Sequence, residues 1–500
     1  MTVPSVPGGF QIPAVPTPSP PMLYVLTCVV YVSALLALAL RRGGRARTGD
    51  EFVVAGRRLP GVVLVGTLLA TWIGSGSILG GAGLAYRTGW GALWLSAGAW
   101  AAILVLHGIA GRARALAHTT VPELLEARYG PAARALGAVV TVIAYTAIVS
   151  YQYRAGGLVL ERVTGLEPQT GQVLTAAVVV LFTVVAGMIS VAYTDLANGV
   201  ILTAGLLAAL GWLVADAGGP GAILSQLPPE HLDPLGTLSP TQALGIALPP
   251  LFLLLGEANM YGRFFSAKSA GVARRAVAGW IAGTIVVEGA IVAIAVAGRA
   301  RFPGLDAPGG EGAETVILRV LTDALPPALG ALLLAAVLAI VVSTADSFLL
   351  APATSLVRDV WARFVSPRSA GSLVVLRTVV VALGVLAWLQ LRFFSGVLEA
   401  ALYAYTMYGA GVTPAVLAAF LWRRATPAGG VASIAAGMTV TLLWEGLRRA
   451  DALPPGAAAL DTIFPALGAS VLALLVVSLA TPPPPESRWR PFFRPPEESP

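Results

Sequence analysis

The chain has few charged residues, one cysteine and no hydrophilic stretch long enough to form a soluble domain. Of its 500 residues, 56% are hydrophobic and 11% are charged, whereas soluble domains average about 45–50% and about 25%. The single cysteine, Cys28, excludes an internal disulfide. A mean hydropathy of +0.80 indicates a chain that resides in lipid rather than one folded around an aqueous core.

Motifs for metal-dependent or nucleotide-dependent chemistry are also missing. His107, His118 and His231 are isolated, and no histidine or cysteine cluster has metal-ligand spacing. There is no Walker loop, so nucleotide-driven pumping is not predicted. An intramembrane enzyme would need a nucleophile, a base and a stabilising group together, and the nearest candidate, Asp346 with Ser347, lacks a histidine. We therefore do not expect an enzyme.

Long apolar runs predict an all-α membrane protein with about thirteen transmembrane helices, because each can cross about 30 Å of hydrocarbon. They lie near 22–40, 61–86, 90–111, 135–160, 170–188, 193–215, 241–261, 277–298, 327–357, 371–391, 396–422, 428–446 and 462–480. With the N-terminus outside, most of the 32 basic residues fall in inner segments, so the positive-inside rule predicts an outer N-terminus and a cytoplasmic C-terminus. The inner-segment cations, Arg263 and Lys268 among them, are interpreted as topology anchors.

Two of these segments carry residues that interrupt helices. The second contains ATWIGSGSILGGAG (70–83), and the seventh contains PPLFLLLGEANMYG (249–262). Interrupted segments at corresponding positions of two halves are typical of the binding site of a secondary transporter. Segments 2–6 and 7–11 are therefore predicted to form a five-plus-five inverted repeat in which the first helix of each repeat is discontinuous. The alternative is that the glycines only allow close packing of continuous helices.

Five motifs, in order over roughly residues 50–425, resemble those of the sodium:solute symporter family. They are DEFVVAGRRLPG (50–61), TVPELLEARYG (120–130), VAGMISVAYTDLANG (185–199), RFFSAKSAGVARR (263–275) and STADSFLLAPATSLVRDVW (343–361). The resemblance implies a LeuT-type fold and sodium-coupled import of a small organic solute by alternating access, in the inner membrane of a bacterium. Its implied partners are Na⁺, the solute and the lipid bilayer, with no nucleic acid. The alternatives are a proton-coupled symporter on the same fold and a transporter-like sensor, although no added signalling domain is present.

The motifs also divide the chain into regions. An extracytoplasmic N-terminus, a peripheral helix and the first cytoplasmic loop occupy 1–58. The symporter core occupies 59–425, with its inverted repeats at 59–216 and 241–425. Two peripheral C-terminal helices are expected over 426–480, and the proline-rich stretch 481–500 is expected to be a disordered cytoplasmic tail.

The resemblance implies a sodium site built around Ser343 and Thr344. Their hydroxyls would act together with the backbone carbonyls of Ala70, Ile73 and Ile340, because hard cations take oxygen ligands. The alternative is that both hydroxyls bond back to their own helix, as serine and threonine usually do in membrane helices.

Three further residues are candidates for a second sodium site or an inner exit relay: Asp195, Asp346 and Ser347. A carboxylate at membrane depth costs roughly 2.5–3.5 kcal/mol on insertion scales unless it is paired, which favours a functional role. The alternative for Asp195 is a helix N-cap at the start of the sixth segment. The alternative for Asp346 is a structural hydrogen-bond acceptor.

Alignment on the family motifs puts Ser77, Ser96, Glu257, Asn259 and Thr406 where members of the family contact substrate. Serines replace the amide and carboxylate set of the sugar-carrying relatives, so a sugar is not expected.

Arg154 lies within the fourth apolar segment, and its guanidinium can bind a carboxylate in a bidentate manner. If Arg154 faces the solute cavity, the solute is expected to be a carboxylate. The alternative is that Arg154 pairs with Glu257 or Glu288 as an internal gate.

Overall fold

The computed structural model describes residues 22–43, 57–116, 118, 120–185, 188–365 and 372–493. The expected extracytoplasmic N-terminus (1–21), the loop at 44–56 and the last residues of the tail (494–500) lie outside these ranges. The described chain is helical, and its one isolated β-bridge joins Leu59 to Ala267. The all-α prediction is confirmed.

The first half of the described chain forms nine α-helices. They are α1 (Met22–Gly43), α2 (Gly61–Trp72), α3 (Ala82–Thr88), α4 (Leu93–Ala115), α5 (Val121–Tyr129), α6 (Pro131–Thr164), α7 (Pro168–Val185), α8 (Met188–Asp216) and α9 (Pro220–Leu224). A π-helix at Gly76–Gly81 runs directly into α3.

The second repeat and the loops around it follow as a further nine helices. They are α10 (Pro240–Gly256), α11 (Ala258–Ser266), α12 (Ala270–Arg301), α13 (Val316–Asp323), α14 (Pro327–Ser355), α15 (Ala362–Phe364), α16 (Leu373–Gln390), α17 (Val397–Gly411) and α18 (Thr413–Leu421). A second π-helix, Leu356–Trp361, joins α14 to α15.

Four helices close the described chain: α19 (Pro427–Arg449), α20 (Pro455–Ala458), α21 (Ile463–Ala480) and α22 (Glu486–Phe493). The expectation of a disordered tail over 481–500 is wrong for α22. Phe492 is buried and packs edge-on against Phe420 with ring centroids 5.6 Å apart, and the Arg423 guanidinium lies over the Trp489 ring. The aromatic residues bury apolar surface that the neighbouring prolines cannot, so this stretch docks as a helix.

Each of the thirteen predicted apolar segments contains a helix. Among the described residues, ten helices are long and apolar enough to cross a bilayer, or eleven if the bent pair α17 and α18 is one span. Met22–Ala34 and Gly61–Trp72 are shorter apolar helices. The fold is therefore the predicted polytopic membrane bundle, and the count of thirteen crossings stays a prediction.

Both predicted breaks are present. The backbone leaves α2 at Ile73 (φ −78°, ψ 88°) and leaves α10 at Glu257 (φ −66°, ψ 122°). The proline pair Pro249 and Pro250 lies inside α10, so the second break falls at the Gly–Glu step rather than at the prolines. The two broken helices are also linked: the Leu59 amide donates to the Ser266 carbonyl at 3.0 Å, and the Lys268 amide donates to the Leu59 carbonyl at 3.1 Å.

Helix α4 packs against α10 and α12, and α6 packs against α14 and α17. The contact between α4 and α10 is close because Gly98 faces the Ala247 carbonyl, where an added Cβ would lie only 1.9 Å from the oxygen. Small residues allow such approaches between membrane helices. Gly108, on the same helix, has nothing within 4 Å of the corresponding position.

We expect Gly98→Ala to destabilise the protein and Gly108→Ala to leave it unchanged. The new methyl group must push α4 away from the α10 backbone, an overpacking that costs about 1–3 kcal/mol. Thermal unfolding of the two variants in one detergent measures the difference, and equal melting temperatures would contradict the close approach of α4 to α10.

Candidate functional site

The first break lies at the centre of the bundle and is fixed by a glutamine. The Gln152 side-chain oxygen accepts hydrogen bonds from the Ser75 hydroxyl at 2.7 Å and the Ser75 amide at 3.3 Å. Gly74 is required beside it, since a Cβ there would lie 2.8 Å from Gln152 Nε2 and 3.0 Å from Thr344 Cγ2. Sequence reasoning missed Gln152, although an amide inside the apolar helix α6 was a visible signal.

The predicted sodium residues come together across this break. The Thr344 hydroxyl donates to the Ala70 carbonyl of α2 at 3.3 Å, whereas the Ser343 hydroxyl donates to the Ile340 carbonyl of its own helix at 3.3 Å. Ile73 is the buried residue at which α2 ends. The alternative of bonding back to the same helix thus describes Ser343 in this conformation, while Thr344 joins two helices.

Asp195 lies inside α8, which begins at Met188, so the N-cap interpretation is wrong. Its carboxylate is buried and accepts a hydrogen bond from the Thr67 hydroxyl at 2.7 Å. Arg263 Nη2 lies 3.5 Å from Asp195 Oδ2 and 3.1 Å from the Ser347 hydroxyl oxygen, and Arg263 Nε donates to Thr67 at 3.0 Å. The candidate second ion position therefore contains a protein cation.

Arg263 corrects the interpretation of the inner-segment cations as topology anchors. Its side chain is fully buried in α11, and Nη1 donates to the Asn259 carbonyl one turn earlier at 3.3 Å. Position 263 falls in the second turn of α11, on the face that points toward α2, α8 and α14. Charge alone could not distinguish this buried arginine from the exposed ones that follow it.

Asp346 and Ser347 follow the hydroxyl pair on α14, and both are buried. Asp346 lies next to Thr183 of α7, and its Oδ2 atom has no hydrogen-bond partner. Ser347 receives the Arg263 hydrogen bond described above. Of the three predicted exit residues, Asp195 and Ser347 contact one guanidinium, and Asp346 lies on the same helix as Ser347, one residue before it.

A small cavity lies on the other side of the first break. Its wall includes Trp72, Ser77, Ser96, Glu288 and Tyr405, and its volume is about 20 Å³, which is room for about one water molecule. In this conformation the cavity is smaller than an organic solute. Of the predicted solute contacts, Ser77 and Ser96 line it.

Glu257, Asn259 and Thr406 are buried but do not line this cavity. Glu257 forms the second break, and its carboxylate lies beside the side chains of Asn259 and Tyr145. The amide of the next residue, Ala258, donates to the Tyr145 hydroxyl at 2.8 Å. The second break is therefore held by a tyrosine, as the first is held by a glutamine.

Glu288 is the acidic group of the cavity wall. Its Oε1 atom accepts from Trp72 Nε1 at 2.8 Å and from the Ser77 hydroxyl at 3.5 Å, and Oε2 accepts from Trp100 Nε1 at 2.8 Å. The two indole groups were missed by sequence reasoning, because tryptophan in a membrane helix is ordinarily interpreted as packing.

Arg154 does not pair with Glu257 or Glu288, so the internal-gate interpretation is wrong. Its guanidinium donates to the carbonyl of Ser395 at 2.9 Å, to that of Leu391 at 3.1 Å and to that of Phe394, between α16 and α17. Helix α6 has 34 residues and is about 50 Å long, which exceeds the hydrocarbon thickness. Arg154 therefore reaches a loop, and it is absent from the cavity wall.

A loop carboxylate, Glu314, lies at the start of helix α17, which forms part of the cavity wall. Glu314 accepts the Val397 amide through Oε2 and the Leu398 amide through Oε1, each at 2.9 Å, and so caps the N-terminus of α17. Leu398 lines the cavity. A Cβ on Gly83 would lie 2.9 Å from Glu314 Cγ, so the loop also contacts α3.

Three comparisons place these features among known proteins. The family model for the sodium:solute symporter family matches residues 52–437. The high-affinity proline transporter PutP of Bacillus subtilis (strain 168) is 28% identical, over 86% of this chain and 92% of its own length. The sodium/pantothenate symporter of Escherichia coli (strain K12) is 26% identical, over 68% and 72%. The solved structure of a Na⁺-coupled sialic acid symporter in a substrate-bound outward-open state superposes with a TM-score of 0.76 at 19% identity, covering 92% of this chain and 98% of that one.

Removing the buried guanidinium with Arg263→Gln is expected to lower the stability of the protein by about 3–5 kcal/mol, since it leaves Asp195 charged and unpaired. The matched control is Arg274→Gln, which removes an exposed arginine at the start of α12. Thermal unfolding in detergent measures both. Adding Asp195→Asn to the first variant should restore much of the loss, and a stable Arg263→Gln single variant would contradict the pairing.

Glu314→Ala should loosen the start of α17, including Leu398 of the cavity wall, because the amides there lose their acceptor. We expect a cysteine placed at Ser96, in a Cys28→Ser background, to react several-fold faster with a hydrophilic maleimide in this variant. Glu311→Ala, which changes an exposed carboxylate of the same loop, is the control. Equal reaction rates in the two variants would show that Glu314 does not control access to the cavity.

Proposed function

The chain belongs to the sodium:solute symporter family, and we propose that it imports a small organic solute together with sodium by alternating access. The observation that carries the proposal is the contact of the Thr344 hydroxyl with the Ala70 carbonyl, 3.3 Å apart across the first break. It joins α14 to the broken helix whose other face borders the solute cavity. Ion and solute therefore act on one structural element.

We assign the sodium to the hydroxyls of Ser343 and Thr344 and the carbonyls of Ala70, Ile73 and Ile340. In support, each hydroxyl lies beside one of these carbonyls. On binding, the hydroxyls would turn lone pairs toward the ion and release their present acceptors. A set of neutral oxygen ligands suits a hard monovalent cation. Because the set carries no negative charge, it can also release the ion again.

Sodium and solute are coupled through the first break. Ile73 is followed within three residues by Gly76 and preceded by Trp72, both of which line the solute cavity. An ion that orders the backbone at Ile73 therefore also orders a wall of the cavity. By linkage, the solute must raise the affinity for sodium by the same factor by which sodium raises the affinity for the solute.

Asp195, Asp346 and Ser347 are assigned to the inward exit of sodium rather than to a second resident ion. Arg263 already supplies a positive charge between Asp195 and Ser347, and a second cation there would meet electrostatic repulsion. We therefore propose one sodium ion per transport cycle, with a hyperbolic rather than sigmoidal dependence of uptake on sodium.

The candidate solutes come from the relatives of this chain. Two relatives are named for proline and pantothenate, and both compounds are first candidates here. Both compounds carry a carboxyl group, but Arg154 is not its partner, because the guanidinium donates to loop carbonyls. We place the protein in the inner membrane with the N-terminus outside and the C-terminus in the cytoplasm, following the distribution of its arginines.

Proton-coupled symport on the same fold is the second candidate. Glu257 favours it, because its carboxylate is fully buried at the second break, beside the neutral side chains of Asn259 and Tyr145. Binding a proton or a cation would lower the free-energy cost of burying this carboxylate. The two candidates make opposite predictions about which gradient drives uptake.

Uptake into proteoliposomes tests the proposal directly. An inward sodium gradient should drive accumulation of labelled proline or pantothenate above equilibrium, and collapse of the gradient should abolish it. Accumulation that ignores sodium and follows an inward proton gradient would replace the proposal with the proton-coupled alternative.

We expect Thr344→Ala to weaken sodium binding at least about tenfold, since a hydrogen-bonding contact to a charged group contributes about 1.5–3 kcal/mol. Thr354→Ala is the matched control: Thr354 is buried on the same helix and its hydroxyl has no hydrogen-bond partner. Sodium titration of the melting temperature measures both variants without any solute. Equal sodium affinities of the two variants would remove Thr344 from the site.

A further inference from the structure

Glu288 is a buried acidic residue that the proposed sodium pathway does not use. It lies on α12, is 4% exposed and borders the solute cavity. Its hydrogen bonds come from two indole N–H groups and a serine hydroxyl. These neutral donors orient the carboxylate, but they bring no positive charge to it.

No arginine or lysine of the described residues lies within ion-pair distance of Glu288. Arg263 is engaged with Asp195, and Arg154 with the carbonyls between α16 and α17. A carboxylate at membrane depth is costly unless a cation accompanies it. The charge of Glu288 is therefore complementary to a cation that comes from outside the protein.

The walls beside Glu288 are aromatic and apolar. Trp72 and Tyr405 have ring centroids 6.0 Å apart and inclined by 34°, and both border the cavity. The remaining wall includes Leu95 and Ile291. Aromatic faces attract organic cations, and the attraction grows when water is excluded. A metal ion would gain little from such walls, whereas an ammonium group attached to a compact apolar body matches them.

We propose that the solute carries an organic ammonium group, secondary to quaternary, which binds between the Glu288 carboxylate and the Trp72 and Tyr405 rings. This inference rests on the proposed function and narrows its solute class: proline, an amine, fits the subsite, and pantothenate, which has no amine, does not. The present cavity is too small for either solute, so binding requires its walls to move apart.

Pairs of shape-matched compounds test this proposal on the unmodified protein. Proline is paired with tetrahydrofuroate, in which an ether oxygen replaces the ring amine, and trimethylglycine with tert-butylacetate, in which carbon replaces the quaternary nitrogen. With sodium present, we expect an amine to raise the melting temperature and its partner to have no effect. Stabilisation by the nitrogen-free partners or by pantothenate, or by no member of either pair, overturns the ammonium assignment.

Glu288→Gln keeps the volume and one of the two indole hydrogen bonds but removes the charge. Affinity for the stabilising amine should fall at least ~30-fold, because one partner of a buried charge pair is lost, while the sodium-induced shift without solute is kept. The matched control is Glu167→Gln, an exposed glutamate between α6 and α7, which should bind as the unmodified protein does.

The outcomes separate the inference from the function on which it rests. If Glu288→Gln binds the amine normally and only the pH dependence of uptake changes, Glu288 is a proton carrier and the subsite is refuted. If sodium shifts the melting temperature but no amine does, the subsite fails and sodium coupling stands. If uptake proceeds without sodium, the proposed function itself fails, whatever Glu288 binds.

Discussion

Peptide groups that leave a helix at membrane depth must find partners inside the protein, and the centre of this structure is organised by that requirement. At the first break Gln152 holds Ser75, and at the second break the Tyr145 hydroxyl holds the Ala258 amide. Each partner comes from α6, which passes both breaks. The long helix thus serves as the common support for two interruptions that would otherwise leave unpaired polar backbone in an apolar medium.

The same medium explains how the buried charges are distributed. Asp195 and Arg263 neutralise one another at the end of the sodium site nearest the predicted cytoplasm, whereas Glu288 has only neutral donors around it. A pair of this kind fixes helices in register, but its charge is already balanced. Glu288 differs from this pair, because no protein cation neutralises it. The free-energy cost of its negative charge therefore depends on what enters the cavity beside it.

Features written in local sequence could be predicted, and features that depend on helix rotation could not. Glycines and a Gly–Glu step marked the two breaks, and the adjacent hydroxyls of Ser343 and Thr344 marked the element that faces the first one. The predictions for Arg154 and Arg263 were both wrong, because the sequence gives the position of a residue along a segment but not the direction in which its side chain points. Arg154 lies on a helix long enough to reach a loop, while Arg263, counted as a loop cation, turns inward from the second turn of α11.

The bridge between Leu59 and the segment that follows α11 ties the ends of the two broken helices to one another. Helices α2 and α11 are therefore connected to each other by this bridge, whereas Thr344 belongs to α14, which is not part of it. The ligands assigned to sodium thus come from two separate parts of the structure, α2 and α14. Any tilt of α2 and α11 relative to α14 changes how many oxygens coordinate the ion. The affinity for sodium would therefore depend on that tilt angle.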